Sequence, residues 1–372
     1  METAPIPYWR YLDEYERDRP ALQGIVDRVL SSGRLILGPE VEKFENRFSS
    51  RCLSAFGIGV NSGTDALFLS LKALGVGPGD EVVTVSNTAV PTVAAIRATG
   101  ATPVFVDVEE DSFLMDVARL EDAIGPAAKA VVPVHLFGQP ADMGPLREIA
   151  KRRGLRVVED CAQAAGALVD GVPVGSLGDL GAFSFYPTKV LGGFGDGGMV
   201  VTADAHLAAR VRRLRFYGMQ GAYYSLEEGY NSRLDELQAA LLDFQLQSLD
   251  EKISRRREIA RRYSRELAGM GDLAIPAVAP GRTHVFYAYT VRTQHRDGLA
   301  AFLRDRGIEI KVNYPVPVHR MSGYGFLGYG QGSLPRTERL AREILSLPIY
   351  PGLTDDEAGR VIEAVQSYYR SL

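Results

Sequence analysis

Chemistry in this chain gathers around Lys189, at the end of Ser184-Phe185-Tyr186-Pro187-Thr188-Lys189 and just before the glycine-rich run Gly192-Gly193-Phe194-Gly195-Asp196-Gly197-Gly198. Arginine outnumbers lysine heavily, so this lysine is not part of a solvated basic face. It follows a β-like run over 180–185. Apolar neighbours there would desolvate an ammonium and lower its pKa. A neutral amine is a nucleophile whose usual partners are carbonyls, either an aldehyde cofactor or a substrate ketone. The plainer alternative is a lysine capping a strand at the surface.

Three further segments place polar residues at strand ends. Asn61-Ser62-Gly63-Thr64-Asp65 joins a strand to a helix, where free backbone N–H groups and the Thr64 hydroxyl could cradle a phosphate. It reads equally as an ordinary helix cap, and it lacks the lysine of a nucleoside-triphosphate loop. Asp160, in Val158-Glu159-Asp160-Cys161-Ala162-Gln163, sits just past a buried strand. A carboxylate there is costly without a positive partner, and a protonated pyridine nitrogen would suit it. Gln163 could then bond a phenolic oxygen of the same ring. Capping of the next helix is the other reading of Asp160. Asn231 and Arg233, in Tyr230-Asn231-Ser232-Arg233-Leu234-Asp235-Glu236, offer anion-binding donors, although a cap at Ser232 explains that segment too. The Gly-x-Gly spacing after Lys189 precedes a strand rather than a helix, so it is no dinucleotide fingerprint; the glycines would let backbone pass close to a ligand.

Elements that could position these residues follow an alternating pattern. Helical periodicity covers 19–31, 40–51, 64–74, 91–98 and 145–153; strand-like runs cover 55–60, 81–86, 102–107, 130–135, 155–159, 180–185 and 198–202. Such alternation predicts an α/β fold, a mainly parallel sheet flanked by helices, with ligands beyond the carboxyl ends of the strands. A long amphipathic helix over 232–270 leads to a smaller α+β unit: a strand over 284–292, a helix over 297–306, a strand over 308–312 and a closing helix over 354–371. The reading divides the chain into a large domain, 1–250, that includes an N-terminal arm, and a small C-terminal domain, 251–372.

The 372 residues suit two such units, and 46% hydrophobic with 24% charged residues is ordinary for a globular protein. A formal net charge of −4 and an arginine cluster at helical spacing, Arg255 to Arg262, give no nucleic-acid footprint. Cys52 and Cys161 lack metal-ligand spacing and read as small buried residues of a reducing compartment, so no metal is expected. Without a signal-like start or a membrane-length apolar run, a cytoplasmic protein is the expectation.

In combination, the Gly-Thr turn, the strand-end Asp with Gln three later, Ser-x-x-x-x-Lys, the glycine run and Asn-Ser-Arg-Leu-Asp-Glu closely resemble the DegT/DnrJ/EryC1/StrS family. The resemblance runs from about Gly33 to Pro348. It implies an aspartate aminotransferase-like fold (pyridoxal phosphate fold type I) and a pyridoxal 5′-phosphate (PLP) enzyme passing through the pyridoxamine phosphate (PMP) form. Lys189 would be the Schiff-base lysine and then the general base, and Asp160 the partner of the pyridine nitrogen. Gln163 would contact the ring hydroxyl. Gly63, Thr64 and Ser184 would hold the phosphate, with Asn231 reaching in from a second subunit of a homodimer with composite sites. Many members place an aromatic residue after Asn-Thr to stack on the ring; here Asn87-Thr88 is followed by Ala89. The family's sugar dehydratase branch replaces the lysine with histidine, so amination is implied.

The donor implied is L-glutamate. Lys311-Val312-Asn313-Tyr314-Pro315-Val316-Pro317-Val318-His319 resembles the pattern of sugar C3 aminotransferases. It points to a dTDP-3-keto-6-deoxyhexose acceptor, with Tyr314, His319 and Arg233 on the substrate side. A proline-stiffened strand exit with a satisfied histidine reads equally well. A dTDP-4-keto-6-deoxyhexose or a keto-cyclitol remains as the alternative acceptor. A non-catalytic regulator on the same scaffold is a remote one, because Lys189 and Asp160 are both present.

Overall fold

The computed structural model describes residues 4–221 and 223–372. Nine strands lie in the first two hundred or so residues: β1 Phe56–Val60, β2 Glu81–Val85, β3 Thr102–Val106, β4 Ala128–Val131, β5 Arg156–Asp160, the two-residue β6 Leu168–Val169 and β7 Val172–Pro173, β8 Leu180–Ser184 and β9 Gly198–Thr202. Seven of them form one sheet in the order β1-β9-β8-β5-β4-β2-β3. The β3-β2-β4-β5-β8 neighbours run parallel, while β9 pairs antiparallel with both β8 and β1. Strands covered on both faces read as nearly continuous apolar runs, and the parallel β2 and the antiparallel β9 both do so.

Helices α1 Leu12–Ser31, α2 Pro39–Arg51, α3 Gly63–Ala73, α4 Val90–Ala98, α5 Met143–Arg153, α6 Ala205–Leu214 and α7 Glu236–Leu246 accompany this sheet. One apolar cluster lies between α3 and the sheet (Leu67, Leu69, Ile58, Val82, Leu180, Val200), and another between α2, α7 and the sheet (Phe44, Phe48, Phe183, Phe185, Leu242). Full burial of each such side chain stabilises by about 1.5–3 kcal/mol. Glu236 adds a polar tie. Its carboxylate accepts from the N–H groups of Gly38 (2.7 Å), Glu40 (2.9 Å) and Val41 (2.9 Å), closing the open N-terminus of α2.

The amphipathic stretch expected as one helix over 232–270 is two, α7 and α8 Leu249–Leu267, with a break at Gln247-Ser248. After it come β10 Tyr289–Arg292, α9 Arg296–Arg304, α10 Pro335–Glu343, β11 Ile344–Leu347 and α11 Asp355–Arg370. Only the last four residues of the expected 284–292 strand are strand; the rest of that run bonds to the turn that follows β4, Val285 N donating to Gly138 O and Ala288 N to Phe137 O. The expected 308–312 strand reduces to isolated bridges, Ile6 with Ile308 and Lys311 with Ser346. These elements share a core of Tyr263, Leu267, Tyr289, Leu303, Leu345, Val361 and Val365. Ile6 belongs to that core, so the N-terminal arm, read in sequence with the large unit, packs against the small one.

Candidate functional site

The site lies beyond the carboxyl ends of β5 and β8, as the chain direction of the parallel strands dictates. Asp160 closes β5 at 4% exposure. Its Oδ2 accepts from the Thr92 hydroxyl (2.8 Å) and its Oδ1 from Ala162 N–H (3.1 Å). Thr88 and Thr92 share a further hydroxyl bond of 2.8 Å one turn apart, across the start of α4. Burial pushes the Asp160 carboxyl above its usual range, against these bonds and the positive charge of Lys189. The helix-cap reading of Asp160 falls away, because no helix follows β5 directly.

The next strand residue inward, Glu159, forms a buried pair with His135: Nε2 lies 3.0 Å from Glu159 Oε2, and His135 Nδ1 accepts from Ala141 N–H. Glu159 also accepts from the N–H groups of Gly175, Leu177 and Gly178. Cys161 lies near enough to make these three residues a possible metal cluster, yet both ring nitrogens and both carboxylate oxygens are already used within the protein. The pair acts as a brace that fixes the end of β5 and therefore Asp160.

Lys189 follows β8, with Nζ 4.8 Å from the centroid of the Tyr287 ring. Burial pushes the Tyr287 phenol up, but Lys189, a bond to Thr188 and the charges of Lys311 and Arg256 together bring it below the ordinary tyrosine value. Gln163 accepts from Phe137 N–H (2.7 Å) and donates to Tyr314 Oη (3.1 Å). Tyr314 therefore stands beside Asp160 and Gln163, and burial pushes its phenol up.

At the cradle, Ser62 is the cap of α3, accepting from Asp65 N–H at 3.1 Å. Gly63 lies against Ser184: a Cβ at 63 would fall 2.5 Å from Ser184 Cβ. A Cβ on Gly198 would collide with the carbonyl of Ser62. That glycine is thus explained by a close approach of two backbone segments rather than by a ligand. Ser232 does not cap α7, whose cap position is Asp235. It bridges to the cradle instead, donating to Asp65 Oδ2 (2.7 Å) and accepting from Asn61 N–H (3.3 Å).

The fold thus brings together Gly63, Thr64, Asp160, Gln163, Ser184, Lys189 and Tyr314. Asn231 and Arg233 flank Ser232 at the edge of the cradle without bonding to these residues: Asn231 is exposed, with its backbone bridged to Phe216, and Arg233 lies over the rings of Phe216 (5.2 Å) and Tyr217 (5.7 Å). His319 is held by protein partners on both ring nitrogens. It is 1% exposed, with Nδ1 2.7 Å from Ser86 Oγ and Nε2 3.2 Å from Glu338 Oε1, and burial holds its pKa below the usual value. Sequence reasoning missed Tyr287, Thr92 and the His135–Glu159 brace. Only Thr92, four residues after Thr88 on a helix, carried a local signal.

These residues fit PLP on structural grounds. A buried carboxyl has no salt-bridge partner and could take the proton-bearing nitrogen of a ring, a backbone turn opens a helix N-terminus, and the Lys189 amine lies near enough for its charge to act on that carboxyl. Fold and site define a PLP-dependent transaminase. The chain belongs to the DegT/DnrJ/EryC1/StrS aminotransferase family, whose sequence pattern matches residues 17–366. It is similar to the dTDP-3-amino-3,4,6-trideoxy-alpha-D-glucose transaminases of Micromonospora megalomicea subsp. nigra and Streptomyces venezuelae. Identity is 52% with the first (98% of this chain, 99% of that one) and 48% with the second (99% and 97%). The crystal structure of S. venezuelae DesV in complex with a ketimine intermediate superposes with a TM-score of 0.98 at 47% identity, covering 100% of both chains. Among the described residues no helix is long and apolar enough to cross a membrane.

Proposed function

We propose that this enzyme moves an amino group from L-glutamate to a dTDP-3-keto-6-deoxyhexose in deoxyaminosugar biosynthesis, working in the cytoplasm as a homodimer with composite sites. The observation that carries the acceptor is the likeness, over almost the whole chain, to two relatives named as 3-amino dTDP-sugar transaminases.

When bound, PLP supplies the electron sink that stabilises negative charge at the carbon losing a proton. Asp160, oriented by Thr92 and Ala162 N–H, would pair with the protonated ring nitrogen, and Gln163, whose amide now donates to Tyr314 Oη, would bond the ring's hydroxyl oxygen. Ser62, Gly63, Thr64 and Ser184 receive the phosphate at the head of α3. Lys189 Nζ takes the α-proton of the donor and serves as acid and base again when the sugar ketone is aminated. Asn231 and Arg233, set apart from this chain's own lysine, are available to the partner's site.

Product NMR after incubation with L-glutamate and the 3-keto or 4-keto dTDP-sugar tests the reading. Nitrogen at C3 is expected. Nitrogen at C4 refutes the regiochemistry, and an unaminated sugar with PLP still bound redirects the search to cyclitol ketones.

A further inference from the structure

Asp160 is a buried carboxyl with no salt-bridge partner among the described residues, and the chain also carries a buried cation of that kind. Arg256, on α8, is 4% exposed. Its Nη1 donates to the carbonyl oxygens of Phe286 (3.2 Å) and Ile349 (2.8 Å), while its Nε has no acceptor among the described residues. Glu14 is the carboxylate whose charge reaches it, but Glu14 is bonded to Lys252 at 2.9 Å. Tyr8 and Tyr287 are the other groups acting on the guanidinium. Lys311 Nζ lies 5.0 Å from the Tyr8 ring centroid and, with Lys189, also acts on Tyr287. Three cations, Lys189, Arg256 and Lys311, thus surround two phenols, and none is paired with a carboxylate among the described residues. Arg256 and Lys189 line one cavity with Gly192 and the Glu14–Lys252 pair, beside Trp9 and Tyr11 of the N-terminal arm; Tyr8 and Lys311 stand outside its lining.

A buried cation left uncompensated is costly, and an anion entering beside it removes the cost. A guanidinium also matches a carboxylate in shape and donor spacing. We infer that Arg256 holds a carboxylate of the amino donor in the cavity that it lines with Lys189 beneath the N-terminal arm, with the Tyr8 phenol and the charge of Lys311 beside it. This site rests on the transaminase reading, which requires an amino acid to present its α-carbon to that lysine. The diphosphate of the sugar nucleotide carries similar anionic chemistry, so the test separates the two sources.

The PLP-loaded wild type and the variants Arg256→Gln, Arg256→Lys and Lys311→Met are titrated calorimetrically with glutarate, an unreactive dicarboxylate, and separately with dTDP. Glutarate affinity is expected to fall roughly 10- to 100-fold in Arg256→Gln, the loss of one charge-assisted hydrogen bond, and by less in Arg256→Lys and Lys311→Met. Affinity for dTDP stays unchanged, and KM for L-glutamate rises more than kcat falls. Lys311 is exposed, so its variant leaves the packing around α8 intact. Unchanged glutarate binding in Lys311→Met and Arg256→Lys, or a fall in dTDP affinity in its place, overturns the site while leaving the transaminase reading standing. A wild-type protein that takes up no PLP overturns that reading and the site with it.

Discussion

Replacing Asp160 with Asn should move the apoprotein and its cofactor affinity in opposite directions. The carboxylate is 4% exposed and is held by two donors, with no cation bonded to it. Burial raises its folded pKa above the unfolded value of about 3.9. The folded apoprotein therefore keeps a proton that the unfolded chain has lost, and stability falls as pH rises from about 4 towards the folded pKa. Asparagine carries no such penalty, so the stability of Asp160→Asn relative to wild type should improve between pH 4 and pH 7.5. With cofactor the sign reverses. Loss of a charge-assisted bond to the ring nitrogen costs about 1.5–3 kcal/mol, or roughly 10- to 150-fold in the Kd for PMP, a ligand that needs no covalent link. Urea denaturation of the apoproteins at both pH values and fluorescence titration with PMP measure the two effects. An apoprotein deficit that grows with pH, or an unchanged PMP affinity, would refute the reasoning.

Two other perturbations read different parts of the frame. Gly63→Ala puts a methyl group 2.5 Å from Ser184 Cβ and should cost about 1–3 kcal/mol in calorimetry while weakening PMP binding; a neutral result would mean that α3 and β8 are less tightly joined than they stand. His284 stacks on Phe286 (4.0 Å between centroids), accepts Phe286 N–H, and is pushed down by burial to about 3. Its folded pKa lies below the unfolded value of about 6.5, so the stability it secures above that pH is lost as pH falls towards 3. His284→Gln should lose less stability than wild type between pH 6.5 and pH 4.5, by on the order of 2–3 kcal/mol, and parallel acid denaturation curves would contradict this.

Periodicity reveals strands and helices where one pattern repeats, so β2, β9 and α3 lay open in the sequence, α3 to within a residue. It does not show where a pattern is interrupted without a glycine or proline, which is why α7 and α8 read as one helix. Nor does it show when an extended run pairs with distant backbone: residues 284–288 serve the main sheet's loop at Phe137 and Gly138, and 308–312 has only bridge partners. The chemical core was legible because Lys189 and Asp160 stand at strand ends, where topology alone brings them together. Tyr287 and Arg256 were not, since their surroundings arise from contacts between distant segments, Tyr287 with Lys189 and Arg256 with Ile349. At His319 the pattern left two readings open, and in the fold Ser86 and Glu338 take up both ring nitrogens, as the satisfied-histidine reading has it.

The most direct measurement is borohydride reduction of the PLP-loaded enzyme followed by peptide mass mapping. A single pyridoxyl-lysine at Lys189 is predicted, with loss of the label in Lys189→Ala. A label on another lysine, or none on a protein that binds PLP, would contradict the assignment of this site.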